Sequence, residues 1–274
     1  MAFPSKSLSG VIRIVDALYP ATVFLTSIDF VGVKTNRGNL MSRVISGRRR
    51  EHAFFGVMGL AIAATVVIGF KDSYFRAGLI FANLPSLVVH IHAALFVSWI
   101  LLLAIQITLV SIGHTRWHRK LGIVGAVIAP LMVIAGMATL VMALRRNAVP
   151  RIPPAVFFAG DLLALLVFAI FVAWALRARA EAAAHKRLMI FATIFILAPA
   201  VDRWDFPFMT SILSTIAVLT AFPLLVALYD LVSLRRIHRA TGWGLLVYVL
   251  NLAALFVLPA LRPWQELTAW VITV

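Results

Sequence analysis

Apolar stretches long enough to cross a bilayer, which takes about 20 residues at 1.5 Å of rise each, recur seven times along the chain. They cover residues 53–70, 87–111, 121–144, 154–176, 188–201, 208–234 and 241–261. The fifth is the shortest, contains Pro199 and runs into Asp202, Arg203 and Asp205, so it is expected to end early or kink. None alternates with the period of two that an outer-membrane barrel requires, which leaves helices as the spanning element. The pattern predicts an all-α polytopic membrane protein, with a seven-helix transmembrane domain over residues 51–274 and a basic N-terminal segment over residues 1–50.

That N-terminal segment lacks the compact apolar core and small-residue cleavage site of a signal peptide and is expected to be retained. Its stretch from Val11 to Val33 is apolar but broken by Arg13, Asp16, Pro20 and Asp29, which favours lying along the inner membrane face over the alternative of an eighth span.

Composition agrees. Of 274 residues, 62% are hydrophobic and 13% charged, with a mean hydropathy of +1.00, so most of the chain cannot be solvated by water. Cysteine is absent, which excludes disulfides, iron–sulfur clusters, thiolate-bound zinc and cysteine nucleophiles. The formal charge of +15 sits in short loops flanking apolar segments. It therefore points to membrane topology and anionic lipid headgroups rather than to nucleic acid. With a cytoplasmic N-terminus, 18 Lys and Arg fall on the cytoplasmic side and seven on the other. This asymmetry favours a multi-pass protein of a cytoplasmic (inner) membrane with its N-terminus inside and its C-terminus outside.

Two tetrads stand out, His118-Arg119-Lys120-Leu121 and His185-Lys186-Arg187-Leu188, 67 residues apart. Each falls where a basic loop gives way to an apolar run. A shift of 67 lays the second and third segments over the fourth and fifth and brings Pro130 near Pro199, the pattern either of a duplicated helical hairpin forming a four-helix core or of chance convergence on a membrane-edge motif. Each histidine opens a helix, where the positive end of the macrodipole and neighbouring bases favour a neutral imidazole. Neutral imidazole is the form that binds iron or zinc. His118 and His185 are thus candidate ligands of a haem b, with Arg119, Lys120, Lys186 and Arg187 for its propionates. The competing reading is that both histidines anchor the membrane edge with their basic neighbours.

A second constellation is expected at the outer face. His90 and His92 open the second segment, Asp161 lies near the start of the fourth, and Asp202, Arg203 and Asp205 close the fifth. His90, His92 and Asp161 are candidate ligands of zinc or iron, although helical residues two apart point about 200° apart. His92, Trp99 and Gln106 recur every seven residues and so share one stripe, a polar line that needs partners inside the bundle. Asp161 needs one too, His92 or Arg203. His52, His114 and His238 read as solvated or headgroup residues, and Asp230 as a partner of Arg235 or Arg236.

Gly69-Phe70, Ser73-Tyr74-Phe75, His90-Ile91-His92, Trp99, Gln106, His118-Arg119-Lys120-Leu121-Gly122 and His185-Lys186-Arg187-Leu188-Met189, in that order, resemble a group of uncharacterised bacterial seven-helix membrane proteins. The resemblance covers about residues 53–262 and implies no particular activity. A looser similarity links the chain to the ascorbate-reducible dihaem cytochromes b, whose four-helix core holds a haem between alternate helices near each membrane face. It implies an inner haem between His118 and His185 and an electron-transfer role. For an outer haem this chain departs from the pattern, offering His92 opposite Asp161. The set His90, His92 and Asp161 with Ser98 is also similar in kind to the zinc site of the adiponectin-receptor and ceramidase hydrolases, one histidine short. A transporter or structural subunit using the same polar stripe would carry no cofactor.

Overall fold

A computed structural model of the chain describes residues 37–76, 86–149 and 152–273, with the side chains of residues 37–46 left aside. The segment expected along the membrane face at residues 11–33 lies outside the described residues. The chain divides into two units, Met1–Arg50 and Glu51–Val274, and the second carries every candidate site.

The described residues form helices. These are α1 (Arg37–Phe70), α2 (Leu87–Ser111), α3 (Thr115–Arg145), α4 (Pro154–Arg177), α5 (Ala182–Phe195), α6 (Ala198–Val201), α7 (Ile212–Leu234), α8 (Arg239–Val257) and α9 (Arg262–Thr273). A π-helical turn, Lys71–Phe75, extends α1. Six helices are long and apolar enough to cross a membrane, spanning Gly47–Phe75, Leu87–Ser111, Thr115–Arg145, Pro154–Ala180, Ile212–Leu234 and Arg239–Ala260. The chain is an all-α, multi-pass integral membrane protein.

The fifth apolar run departs from the other six. It forms the 14-residue α5, a break at Ile196 and Leu197, and the four-residue α6 with Pro199 in its first turn. Proline cannot continue the hydrogen-bond ladder of the preceding turn, so the helix stops before it. By contrast, Pro130 and Pro223 lie inside α3 and α7 without ending them. Neighbouring helices in a membrane bundle can absorb such a lesion.

Antiparallel hairpins α2–α3 and α4–α5 form the centre, with α3 packed on α4, and α5 packed on α4, α7 and α8. The α2–α3 connection turns at Gly113, whose φ of +82° is a backbone state glycine adopts without strain. Helix α5 is the core of the bundle: Leu188, Phe191, Ala192 and Thr193 have at most 1% of their surface exposed. Around it pack Phe168 and Phe171 of α4, Met132 of α3, Ile62 of α1 and Val226 of α7. Lipid-facing positions carry Leu60, Ile134, Ile170, Leu213 and Val249, all exposed. Such surface is stable only in hydrocarbon or against a partner.

Helix α9 is amphipathic and too short to span. Trp264, Thr268, Val271 and Ile272 face the bundle, with Trp264 stacked on Phe158 at 4.9 Å and donating Nε1–H to the carbonyl of Ala155. Their spacing of four, three and one is a helical stripe. It lies in the chain beyond the seventh apolar run, where hydropathy alone gives no signal.

Candidate functional site

The two tetrad histidines occupy the same register. Thr115 begins α3 and Ala182 begins α5, so His118 and His185 are each the fourth residue of their helix. Each backbone N–H bonds the residue before helix entry, His114 and Glu181 respectively. Because α3 and α5 run parallel across the core, this shared register brings the rings together. Their centroids are 6.1 Å apart and their planes 85° to one another. Two imidazole nitrogens each about 2 Å from one ion place their ring centroids roughly 6 Å apart when the rings face each other across it and roughly 5 Å apart in a tetrahedral set, so the observed spacing is that of an opposed pair.

The protonation pattern follows from the partners. His185 Nδ1 lies 2.8 Å from the carbonyl of Ala175 in the last turn of α4. A carbonyl only accepts, so Nδ1 carries a proton, and in the neutral ring the lone pair is then on Nε2. Among the described residues His118 Nδ1 is buried without a hydrogen-bond partner, and so is Oε1 of Gln106, whose Nε2 donates to the backbone carbonyl of His118 at 3.1 Å. Burying such groups unpaired costs free energy, so the end of the bundle that holds the pair concentrates unmet hydrogen-bonding capacity.

The four tetrad bases separate into two kinds. Arg119 and Lys120 are exposed beside the pair, Lys120 over the ring of Trp117. Lys186 is ion-paired with Glu51 and lies over Phe55, and Arg187 is fully buried against Asp230. Lys186 and Arg187 are therefore committed inside the bundle. Asp230 does not pair with Arg235 or Arg236 as its place in the chain suggested. Its carboxylate accepts Nε and Nη2 of Arg187, the backbone N–H of His238 at 3.0 Å and the hydroxyl of Thr241 at 2.5 Å. Sequence reading passed over this assembly because a buried Arg inside a basic tetrad looks like any loop base. The one available hint was that Asp230 needs a cation inside an apolar run.

The polar stripe of α2 faces inward along its length. Trp99, 2% exposed, donates Nε1–H to Thr193 Oγ1 at 3.2 Å, and Thr193 in turn donates to the Met189 carbonyl. Gln106 reaches the histidine pair. At the other end His92 packs its ring on Phe96, centroids 4.3 Å apart, with Nδ1 buried and without a partner among the described residues. Asp161 forms no hydrogen bond or ion pair among the described residues, and neither His92 nor Arg203 closes on it. Arg203 bonds the Pro199 carbonyl and covers Phe70. Burial pulls its guanidinium below the ordinary arginine value, while the charges of Asp161 and then Asp202 hold it up. Asp202 itself accepts a hydrogen bond from Thr215 at 2.6 Å. His90 is half-buried, and Ser98 is exposed. Among the described residues no group of three His, Asp or Glu side chains gathers in a way that could hold a metal ion.

His238, read from sequence as a headgroup residue, is the N-cap of α8. Its Nδ1 accepts the N–H of Ala240 at 3.1 Å. Burial first, and the Arg187 guanidinium next, hold its imidazole below the ordinary histidine value. The stability that the neutral ring contributes is complete above the unfolded value of about 6.5 and is lost as pH falls through the lowered folded value. Thermal melts of detergent-purified protein at about pH 7.5 and about pH 5 are expected to differ more for the wild type than for His238→Asn, whose amide caps without titrating in this range. An equal difference in the two proteins would remove His238 as the titrating cap.

No protein-family model matches this chain, and neither a curated protein nor a solved structure is similar to it.

Proposed function

We propose that this integral membrane protein binds a haem b between His118 and His185 and serves in electron transfer. The observation that carries the reading is the ring pair at 6.1 Å, one ring held by the Ala175 carbonyl through Nδ1, which in the neutral ring leaves the lone pair on Nε2. Haem iron held by two imidazoles supplies one-electron chemistry. The chain's own contribution is to orient His185 through the Ala175 carbonyl, a type of outer contact that fixes a ligand ring and raises its basicity. Arg119 and Lys120, exposed at the same end, are positioned for propionate carboxylates. The asymmetry of Lys and Arg along the chain supports an inner bacterial membrane, a cytoplasmic N-terminus and anionic lipid at the basic face. The order of the tetrads and the α2 stripe supports kinship with the bacterial seven-helix group.

Detergent-purified protein is expected to show a Soret band that disappears in His118→Ala/His185→Ala while the protein remains monodisperse. A colourless protein carrying stoichiometric zinc or iron by elemental analysis would replace haem with a single ion held by the same pair. A colourless, metal-free protein would sink both and favour a transporter or structural subunit. The outer set of His90, His92 and Asp161, the zinc-hydrolase alternative, loses ground because no group of three such side chains gathers among the described residues. Zinc that survives His118→Ala/His185→Ala and is lost in His92→Ala would restore it.

A further inference from the structure

From the connection between the buried ion pair and α5 we infer that Asp230, 45 residues beyond His185 in the chain, is a positioning residue for the histidine pair. It would set both the geometry and the charge of that site. The inference rests on the cofactor reading for its charge half and stands without it for its geometric half.

The geometric half follows from helical register. Arg187 is two residues beyond His185, so the two side chains leave α5 about 200° apart. His185 is held from one side by the Ala175 carbonyl of α4. Arg187 is held from the opposite side by the Asp230 carboxylate of α7, through Nε and Nη2. Its remaining Nη1 donates at 2.8 Å to the Ala183 carbonyl, in the first turn of the same helix. One guanidinium therefore fastens the opening turn of α5 both to itself and to α7. Asp230 is fastened in turn by the His238 N–H and the Thr241 hydroxyl at the start of α8. Lys186 between the two adds Glu51 of α1. A two-toothed, planar arginine–carboxylate pair fixes orientation as well as distance.

The charge half follows from neutrality. Arg187 and Asp230 are 1% and 0% exposed, so water does not screen them, and they cancel one another as seen from His185. Removing the carboxylate charge leaves an uncompensated guanidinium two residues from a ligand. Nearby positive charge favours the reduced form of a haem by the same electrostatics that tune other redox centres.

Two measurements test the halves separately. The chain contains no cysteine, so His118→Cys/His185→Cys gives a clean pair of thiols, and the rate of their bridging by a short homobifunctional thiol reagent reports how α3 and α5 are held. Adding Asp230→Asn, or the milder Thr241→Val in case the first does not accumulate, is expected to slow bridging several-fold. In the haem-loaded protein without the cysteines, Asp230→Asn is expected to move the midpoint potential positive. Arg187→Lys keeps the charge balance but loses the two-toothed grip, and is expected to broaden the Soret band with little change in potential. Unchanged bridging in both Asp230→Asn and Thr241→Val would overturn the geometric half, whether or not a haem is present. A midpoint unmoved, or moved negative, in Asp230→Asn would overturn the charge half. A wild-type protein without haem would instead count against the cofactor reading, leaving the bridging result to decide positioning.

Discussion

Asp230→Ala is expected to be the most damaging single substitution in the bundle, and Arg187→Met/Asp230→Leu is expected to reverse most of the damage. Removing one member of a buried ion pair strands the other, at a cost of about 3–5 kcal/mol, whereas apolar side chains of similar volume in place of both are often neutral. Asp230 accepts hydrogen bonds from Arg187, His238 and Thr241, so alanine also orphans a buried hydroxyl and a backbone N–H. In a bilayer the stranded guanidinium has no water to retreat to without distorting the helix ends. The measurement is the midpoint of thermal unfolding of detergent-purified protein, read by the loss of its monodisperse peak. If Asp230→Ala melts with the wild type, the pair contributes nothing to stability. If the double variant is as poor as the single, specific polarity rather than charge satisfaction is what the site requires.

Gly69→Ala is expected to be the second largest effect, with a sign opposite to local propensity. In an isolated helix the change is favourable by about 1 kcal/mol. A Cβ at Gly69, however, would sit 2.1 Å from the carbonyl oxygen of Ala200 and 2.8 Å from its carbon. The obstacle is backbone, not a side chain that can swing away, and it belongs to the short α6 already fixed by Pro199. Trp204 Nε1–H bonds the Thr65 carbonyl one turn along α1, so separating α1 from α6 loses that bond too. Overpacking of this kind costs about 1–3 kcal/mol, enough to outweigh propensity. Gly56→Ala is the control, since nothing lies within 4 Å of a Cβ there, and it is expected to be neutral or slightly stabilising in the same melt.

Much of the bundle was legible before any coordinates, because a bilayer-length apolar run has few alternatives to a spanning helix. Helices α2 and α4 begin and end within about one residue of their hydropathic runs, whereas α3 begins six residues ahead of its run because Thr115 to Lys120 are polar yet helical. The two histidines were legible as equivalents from their tetrads, and register in two parallel helices turned that equivalence into contact. What pattern could not reveal was which tetrad bases point inward. Arg119 and Arg187 stand at nearly the same place in their tetrads, yet one is exposed and the other fully buried. The difference is made by a carboxylate 43 residues farther on, and no local spacing encodes that. Likewise, the stripe of His92, Trp99 and Gln106 predicted an inward face but not its partners, since Thr193 and the His118 carbonyl belong to α5 and α3.

The broken α5–α6 rod bears on how the chain enters a membrane. Fourteen residues span about 21 Å, short of a hydrocarbon thickness of about 30 Å. The peptide groups at the break are tolerable at that depth only within protein, where Phe195, Ile196 and Leu197 are indeed covered. A nascent chain that has emerged only as far as α6 thus presents the translocation machinery with a helix too short to stay, an arginine without its carboxylate and a gap in the ladder. Synthesis of α7 and α8 supplies Asp230, Thr241 and the wall that closes over the gap. Stable integration of the middle of this protein therefore waits on its C-terminal third, and truncations between α6 and α8 should be cleared by quality-control proteases rather than accumulate as partial bundles.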